Sequence, residues 1–358
     1  MLTFEQRKIA FSKLGRTIDV LLKAENSDKN VNHSEFQEVL ALSKAENQWF
    51  SEENIRFALQ GWSSALQLEN LEEWLKTYDL QDEIPAVNVG IVMAGNIPLV
   101  GFHDFLSTLI CGHHAIIRQS SNDKRLLPYL VKKLVDIAPE FQSKITFVEQ
   151  RLTGFDAVIA TGSNNTARYF EYYFRKVPHV IRKNRNGIAI FNGDESKQDF
   201  EKLGKDILRY FGLGCRNVSK IFVPKNYNFN SFFEGISKFE TYIHHHKYAN
   251  NYEYNKAVYL MSNIKFLDNG FMILKEGQDF SSPIAVVNYE IYEDDKQLEN
   301  LLNKQKNNIQ CTIGKHKLCN FDFGKAQHPK LTDYADGVDT IKFLKNLDLK
   351  KHYENTQF

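Results

Sequence analysis

Little in this 358-residue chain is one-sided, and most function classes that depend on an excess fall away at once. Cysteines are few. Cys111, Cys215, Cys311 and Cys319 follow neither zinc-ribbon spacing nor a dense disulfide framework, so free thiols are expected. Long apolar runs are missing too: the N-terminus does not read as a signal peptide and no segment is long enough to span a bilayer, which makes the cytoplasm the expected location. Neither charge dominates. With Lys+Arg at 45 against Asp+Glu at 44, there is no global field to attract nucleic acid or an anionic membrane. No GxGxxG occurs, so the ordinary dinucleotide fingerprint is unavailable, and there is no internal repeat, low-complexity tract or Gly/Ser linker. What remains is a 42% hydrophobic, 25% charged chain, the balance of an enzyme-sized globular body with room for two cores.

The order of elements is informative. Residues up to about 80 read as helices, with capping-box pairs at Thr3/Gln6 and Ser34/Gln37. After Pro85, Ala86 to Met93 has the continuous apolar character of a strand buried on both faces. A helix over Leu99 to Ile110, a strand at Ala115 to Ile117, a helix from Asp123 to Ile137, and strands at Ile145 to Val148 and Ala157 to Ala160 follow. A helix over Asn165 to Arg175, strands at Val180-Ile181 and Ile188 to Ile190, and an amphipathic helix from Ser196 to Tyr210 continue the alternation, which implies a parallel sheet with helices on its faces. Beyond residue 215 a smaller set repeats the pattern: a strand at Ile221 to Val223, helices near 228–239 and 250–262, a strand at Ile284 to Val287 and a helix over 294–304.

Four places carry possible chemistry. Cys215, in Phe211-Gly212-Leu213-Gly214-Cys215-Arg216, has glycines that allow close backbone approach and two cations, Arg209 and Arg216, near in sequence; an inert packing cysteine is the competing reading. Asn96 follows a buried strand through Gly95, where open α/β sheets bind ligands, and its amide suits an oxyanion, although a turn Asn bonded to its own backbone looks the same. Thr161-Gly162-Ser163 lies between a buried strand and a helix, a place for a pyrophosphate or for a plain helix cap. Arg118, followed by Gln119, Ser120 and Ser121, would match a ribose 2′-phosphate or simply end a strand in solvent. His244-His245-His246 points away from metal, because neighbouring side chains diverge on helices and strands alike. The aromatic run Arg168 to Phe174 suits an acyl groove, a core or, as the first choice, a subunit interface.

Taken in order, Asn96 after the first strand, Arg118 where a Lys usually stands, Thr161-Gly162-Ser163 after a later strand, and then Gly214-Cys215 resemble the aldehyde dehydrogenase superfamily. Within it the chain resembles the LuxC-type acyl-CoA reductases. Gly324-Lys325-Ala326-Gln327-His328-Pro329 and Asp333 to Thr340 resemble that branch's closing segment, so the likeness covers roughly residues 85 to 345.

The resemblance implies an α/β fold of two Rossmann-like lobes with an N-terminal helical extension. Residues 1–84 would form the extension, 85–186 the cofactor-binding domain, 187–325 the catalytic domain with Cys215, and 326–358 a segment returning to the cofactor lobe or an interface. It implies Cys215 as nucleophile, the Asn96 amide and the Cys215 N–H as oxyanion hole, and Arg118, Ser120, Thr161, Gly162 and Ser163 around NADPH, with NADH as the other possible reductant. Asp279, in Asp279-Phe280-Ser281-Ser282-Pro283, stands where relatives often hold the nicotinamide ribose with Glu. Where hydrolytic relatives place a general-base Glu, this chain reads Ile181 to Gly187 with no carboxylate, which favours reduction of a Cys215 thioester over its hydrolysis. The implied substrate is an acyl-CoA or acyl-protein thioester, and the implied assembly a homo-oligomer. Alternatives are a cysteine acyltransferase or thioesterase without hydride transfer, aldehyde oxidation, and a non-catalytic scaffold.

Overall fold

The structure, a computed structural model, describes residues 2–24, 31–82 and 84–347. It divides into two units, one drawn from Met1–Lys183 and Lys330–Phe358, the other from Asn184–Pro329.

The first unit opens with four helices: α1 (Phe4–Lys23), α2 (Val31–Glu46), α3 (Glu52–Ala65) and α4 (Leu68–Leu75). The Thr3/Gln6 capping box forms, with Gln6 N–H donating to Thr3 Oγ1 and Thr3 N–H to Gln6 Oε1. The second expected box does not begin a helix, because α2 already runs from Val31 and Ser34 sits exposed inside it. Apolar positions of these helices, among them Phe11, Leu14, Phe36, Leu59 and Trp74, join the sheet in one core, the burial that makes short helices stable at all.

The sheet of this unit comprises β1 (Asn88–Val92), β2 (His114–Arg118), β3 (Ile145–Phe147), β4 (Ala157–Thr161) and β5 (His179–Arg182), in the order β3-β2-β1-β4-β5. All pairs are parallel, with helices α5 (Phe102–Ile110), α6 (Leu126–Ile137) and α7 (Asn164–Phe174) between them. Ala157 to Ala160 are all buried, as a parallel strand covered on both faces requires. Two helices begin later than the sequence suggests. Leu99 adopts φ 59° and α5 starts at Phe102; the Asp123 carboxylate accepts from Leu99 N–H, and α6 starts at Leu126. Asp123 is half-buried, and desolvation of its carboxyl raises the pKa to about 6.

After Lys330 the chain is part of this unit again. Tyr334 Oη accepts from Trp74 Nε1 at 2.7 Å, Tyr78 Oη donates to Asp339 at 2.8 Å, and a short helix, Thr340–Lys345, follows. Residues 348–358 of the expected closing segment lie outside the described residues. Leu344 O of that helix accepts from His113 Nε2 at 3.2 Å, while His113 Nδ1 accepts from Val87 N–H at 3.3 Å. Both ring nitrogens are thus used by a neutral imidazole, and burial pushes its pKa down to about 4. The folded state then binds fewer protons than the unfolded chain between about pH 4 and 6.5, so stability is full above 6.5 and is lost as pH falls through that window. We expect unfolding at pH 5 to be easier than at pH 7 by about 2 kcal/mol through this group. Urea midpoints of the natural chain and His113→Gln at both values test it; an equal pH effect in the variant would remove His113 as the cause.

The second unit has β6 (Asn186–Ile190), α8 (Lys197–Leu208), β7 (Val218–Pro224), α9 (Asn230–Ile236), α10 (His246–Met261), β8 (Phe266–Asp268), β9 (Ile273–Glu276), β10 (Val286–Tyr292), α11 (Asp295–Lys304) and β11 (Ile309–Ile313). Its sheet order is β11-β6-β7-β10-β9-β8, parallel except where β8 runs against β9. Ile188, Ile190, Phe222 and Leu298 form one of its buried clusters. Strands β8, β9 and β11 go beyond what the sequence suggests, and the helix expected over 228–239 ends at Ile236 and continues as a 3₁₀ segment to His244.

Candidate active site

Helix α8 ends at Leu208, and the chain then turns sharply toward Cys215. Tyr210 (φ 55°, ψ 25°) and Phe211 (φ 57°, ψ 27°) are both left-handed, and Gly212 follows at φ 79°. For side-chain-bearing residues this costs on the order of 1 kcal/mol each, and such strain persists only where surroundings impose it. The imposing contacts are visible. The Phe211 ring lies 4.2 Å from that of His245 and 5.4 Å from that of Tyr242, and Tyr210 is buried.

Asn217 closes the loop from the other side. Its Nδ2 donates to the carbonyls of Asp206 (3.0 Å), Ile207 (3.1 Å) and Arg209 (2.7 Å), while its Oδ1 accepts from Gly214 N–H at 2.8 Å. One buried amide therefore satisfies the open end of α8 and fixes the residue before the cysteine. The close approach of β6 completes the turn: a Cβ on Gly187 would stand 2.6 Å from Arg216 O and 2.8 Å from Asn217 O, so only glycine fits there.

Cys215 itself is half-buried, whereas Cys111 and Cys311 are buried. Cys319 is held back by burial, which pushes its thiol up to about 12. Reactive thiols need access and a low pKa, and neither Cys111, Cys311 nor Cys319 meets the requirement. The Arg216 guanidinium takes a structural role, in which Nε donates to Ala326 O at 2.6 Å and the group lies over Phe321 at 4.6 Å. Ala326 N–H in turn donates to the buried Asp206 carboxylate at 3.1 Å, and Gly324 N–H at 2.5 Å; burial raises Asp206 to about 7. A cavity of about 20 Å³ lies under the loop, bordered by Phe211, Gly212, Tyr248 and Pro283. It has room for about one water and none for an acyl chain.

In the first unit the carboxyl ends of β1, β2 and β4 lie side by side, Val92 pairing with Arg118 and with Ala160. Asn96, Arg118, Ser120 and Thr161-Gly162-Ser163 thus emerge at one sheet edge. Asn96 is exposed just past β1. Arg118 ends β2 with an exposed guanidinium that makes no ion pair among the described residues. Ser120 presses on the loop after β1: a Cβ on Gly95 would meet Ser120 Cβ and Oγ at 2.6 Å, so the two loops touch through bare backbone. Ser163 caps α7, accepting from Thr166 N–H at 3.2 Å. The α7 aromatics divide: Phe170 and Phe174 pack on the buried Leu152, Val158 and Ala160, whereas Tyr169, Tyr172 and Tyr173 are each more than 60% exposed.

The 181–187 segment carries no carboxylate in sequence, yet the fold brings three to it. Arg182, the last residue of β5, is buried and forms a bidentate pair with Asp104 of α5, 2.6 Å at the shorter contact, while also donating to Ala335 O and Thr340 Oγ1. Glu171 pairs with Lys183 at 2.7 Å, which holds its carboxyl below the usual range, and Asp336 accepts from Lys183 N–H at 3.1 Å. Each is already engaged, a poor condition for a general base.

Asp279 is exposed. Its carbonyl and that of Ser281 both accept from Asn288 Nδ2 at 3.0 Å, tying this segment to β10. Beneath it Lys220 of β7 is fully buried, donating to Gly277 O at 2.8 Å and pairing with Glu290; burial lowers its ammonium pKa, while Glu290 opposes the shift. Asn217, Gly187, Lys220 and Asn288 escape sequence reading. The one local signal is the Arg216-Asn217 step directly after the cysteine, since a polar residue preceding a strand often bonds back to the chain.

Two sheets with this element order define the fold of aldehyde dehydrogenases. Aldehyde dehydrogenase 21 from Physcomitrella patens, solved with the reaction product succinate, superposes with TM-score 0.64 at 12% identity, covering 97% of this chain and 85% of its own. The NAD+ complex of an aldehyde dehydrogenase from Bacillus cereus gives TM-score 0.62 at 13% identity, over 90% and 76%. The indole-3-acetaldehyde dehydrogenase AldA of P. syringae, a variant with NAD+ and IAA, gives 0.61 at 11%, over 87% and 72%. No curated protein matches the chain. The family model Acyl-CoA reductase (LuxC) matches residues 16–307, and the chain belongs to that family. Among the described residues no helix is long and apolar enough to cross a membrane.

Proposed function

We propose that the chain reduces an acyl-CoA, or another acyl thioester, to the aldehyde through a covalent Cys215 thioester, with NADPH as reductant. The observation that carries this reading is the strained, Asn217-tied turn that leaves Cys215 half-buried in a member of the acyl-CoA reductase family. The Cys215 thiolate attacks the acyl carbonyl and the Asn96 amide, with the Cys215 N–H, supports the oxyanion. Collapse breaks the carbonyl–sulfur bond to CoA, which leaves as a thiolate and takes up a proton.

The β1/β2/β4 edge suits a dinucleotide: bare backbone at Gly95, a capped helix start at Ser163, and the free guanidinium of Arg118. Arg118 and Ser120 would hold a ribose 2′-phosphate, Thr161, Gly162 and Ser163 the pyrophosphate, and Asp279 the nicotinamide ribose. When bound, the reduced nicotinamide supplies hydride to the carbonyl carbon of the thioester, freeing aldehyde and the Cys215 thiolate. The first unit would then serve as cofactor lobe and the second as catalytic lobe in a cytoplasmic homo-oligomer, with Tyr169, Tyr172 and Tyr173 facing a second copy.

Mixing the protein with acyl-CoA alone is expected to release one CoA per chain and add one acyl group to Cys215, and NADPH then consumes that thioester. Acylation without binding of either NADPH or NADH in calorimetry would favour the transferase alternative. Arg118→Gln should weaken NADPH by about 10- to 100-fold, the worth of one or two charge-assisted hydrogen bonds, and leave NADH nearly unchanged. Equal loss for both reductants would take Arg118 off the 2′-phosphate.

A further inference from the structure

The opposite, amino-terminal end of the first sheet holds a second cavity. It encloses about 370 Å³ at the amino ends of β2 and β3, within the range of small-molecule pockets. Leu2, Leu109 and Phe141 give it apolar walls, Arg7 and Lys144 give it positive charge, and His114 adds a neutral imidazole. Glu140 is the one acidic side chain on its lining.

The cations play different parts. Arg7, from α1, spends four of its five donors on backbone carbonyls, those of Ile110 (3.0 Å), Leu2 (2.7 Å), Asp82 (3.2 Å) and Gln81 (3.0 Å), so it supplies mainly charge. His113 is neutral, with both ring nitrogens taken by backbone groups. Lys144 donates to His114 Nε2 at 2.9 Å, which leaves two ammonium N–H groups and places the His114 proton on Nδ1. Neither forms an ion pair with a carboxylate among the described residues. Burial and the neighbouring cations hold both groups below their ordinary pKa, Lys144 beside Arg7 and His114 beside Lys144. An ammonium without a carboxylate partner among the described residues, facing apolar walls, is the complement of one kind of ligand.

We infer that this pocket binds a monocarboxylate with a hydrocarbon body, its head group on Lys144 and His114 and its chain against Leu2, Leu109 and Phe141. A phosphate is the poorer match, because the Glu140 carboxylate on the lining opposes a dianion and the apolar surface of Leu2, Leu109 and Phe141 would go unused.

Octanoate is the probe, titrated into the full chain by calorimetry beside octan-1-ol and inorganic phosphate. Saturable octanoate binding is expected, weakened about tenfold or more by Lys144→Gln, with octan-1-ol and phosphate both weaker than octanoate. In the unmutated chain octanoate should also raise the titration midpoint of the His114 imidazole followed by NMR, since a nearby anion favours its charged form. That readout stands even if the Lys144 variant folds poorly. Unchanged octanoate affinity in Lys144→Gln, a His114 midpoint unmoved at saturation, or phosphate binding more tightly than octanoate would each overturn the assignment. Binding at the Cys215 site, by contrast, would survive Lys144→Gln and leave His114 unmoved.

Discussion

Replacing Cys215 by alanine is expected to abolish acyl-CoA reduction, with a loss on the order of 10⁴-fold or more. The size follows from chemistry. If the thiol forms the covalent intermediate, nothing else in the loop can substitute: Arg209 and Arg216 are not nucleophiles, and the Arg216 guanidinium is committed to Ala326 and Phe321. The fold should survive, because the contacts of Asn217, Phe211 and Gly187 that hold the turn are all kept in the variant. Cys215→Ala is therefore expected to keep the thermal midpoint and NADPH binding of the natural chain while neither releasing CoA nor gaining mass from acyl-CoA. Full turnover in this variant would falsify the covalent route. Loss of turnover with intact acylation of another cysteine would move the nucleophile, and burial at Cys111, Cys311 and Cys319 argues against that outcome.

The parts of the molecule that sequence made legible share a physical cause. β1 and β4 are short apolar runs buried at their centres on both faces, and the capping box at Thr3 is local, three residues from donor to acceptor. Strands β8, β9 and β11 break that rule. Phe266-Leu267-Asp268, Ile273 to Glu276 and Ile309 to Ile313 are brief and partly polar, and pairing with neighbours, not pattern, makes them strands. The late starts of α5 and α6 are joined by a long-range contact, the Asp123 carboxylate receiving Leu99 N–H.

The candidate site was readable where it depends on residue type and order, and unreadable where it depends on distant partners. The expectation that 181–187 holds no base is true of the segment, but Asp104 reaches Arg182 from 78 positions away and Asp336 reaches Lys183 from 153. A missing carboxylate in sequence is thus weaker evidence than a carboxylate already paired in space. Arg182 shows the difference. It is buried at the end of β5 with Asp104, Thr340 and Ala335 around it, so this position serves the packing of the first unit. Such a pair is costly to break from one side, since the other charge stays buried.

Asn217→Ala is expected to be the most damaging change that leaves the cysteine in place. It removes one donor group shared by three carbonyls at the end of α8 and the acceptor of Gly214 N–H, with the bonds to Asp206 and Ile207 buried and the other two part-buried. Leaving such groups unpaired costs about 1–3 kcal/mol each where water cannot reach, so a destabilisation of about 3 kcal/mol is expected in urea. Catalysis should suffer separately. Tyr210 and Phe211 hold unfavourable backbone angles only while both ends of the turn are fixed, and a loop that relaxes by about 1 Å can lose on the order of 10²-fold in rate. Asn217→Asp divides the two effects: its carboxylate still accepts from Gly214 N–H but cannot donate to the α8 carbonyls, so Cys215 placement should be kept better than stability. Single-turnover CoA release and urea midpoints of the two variants decide it. If Asn217→Ala acylates at the natural rate, the strained turn places nothing and Cys215 owes its geometry to other contacts.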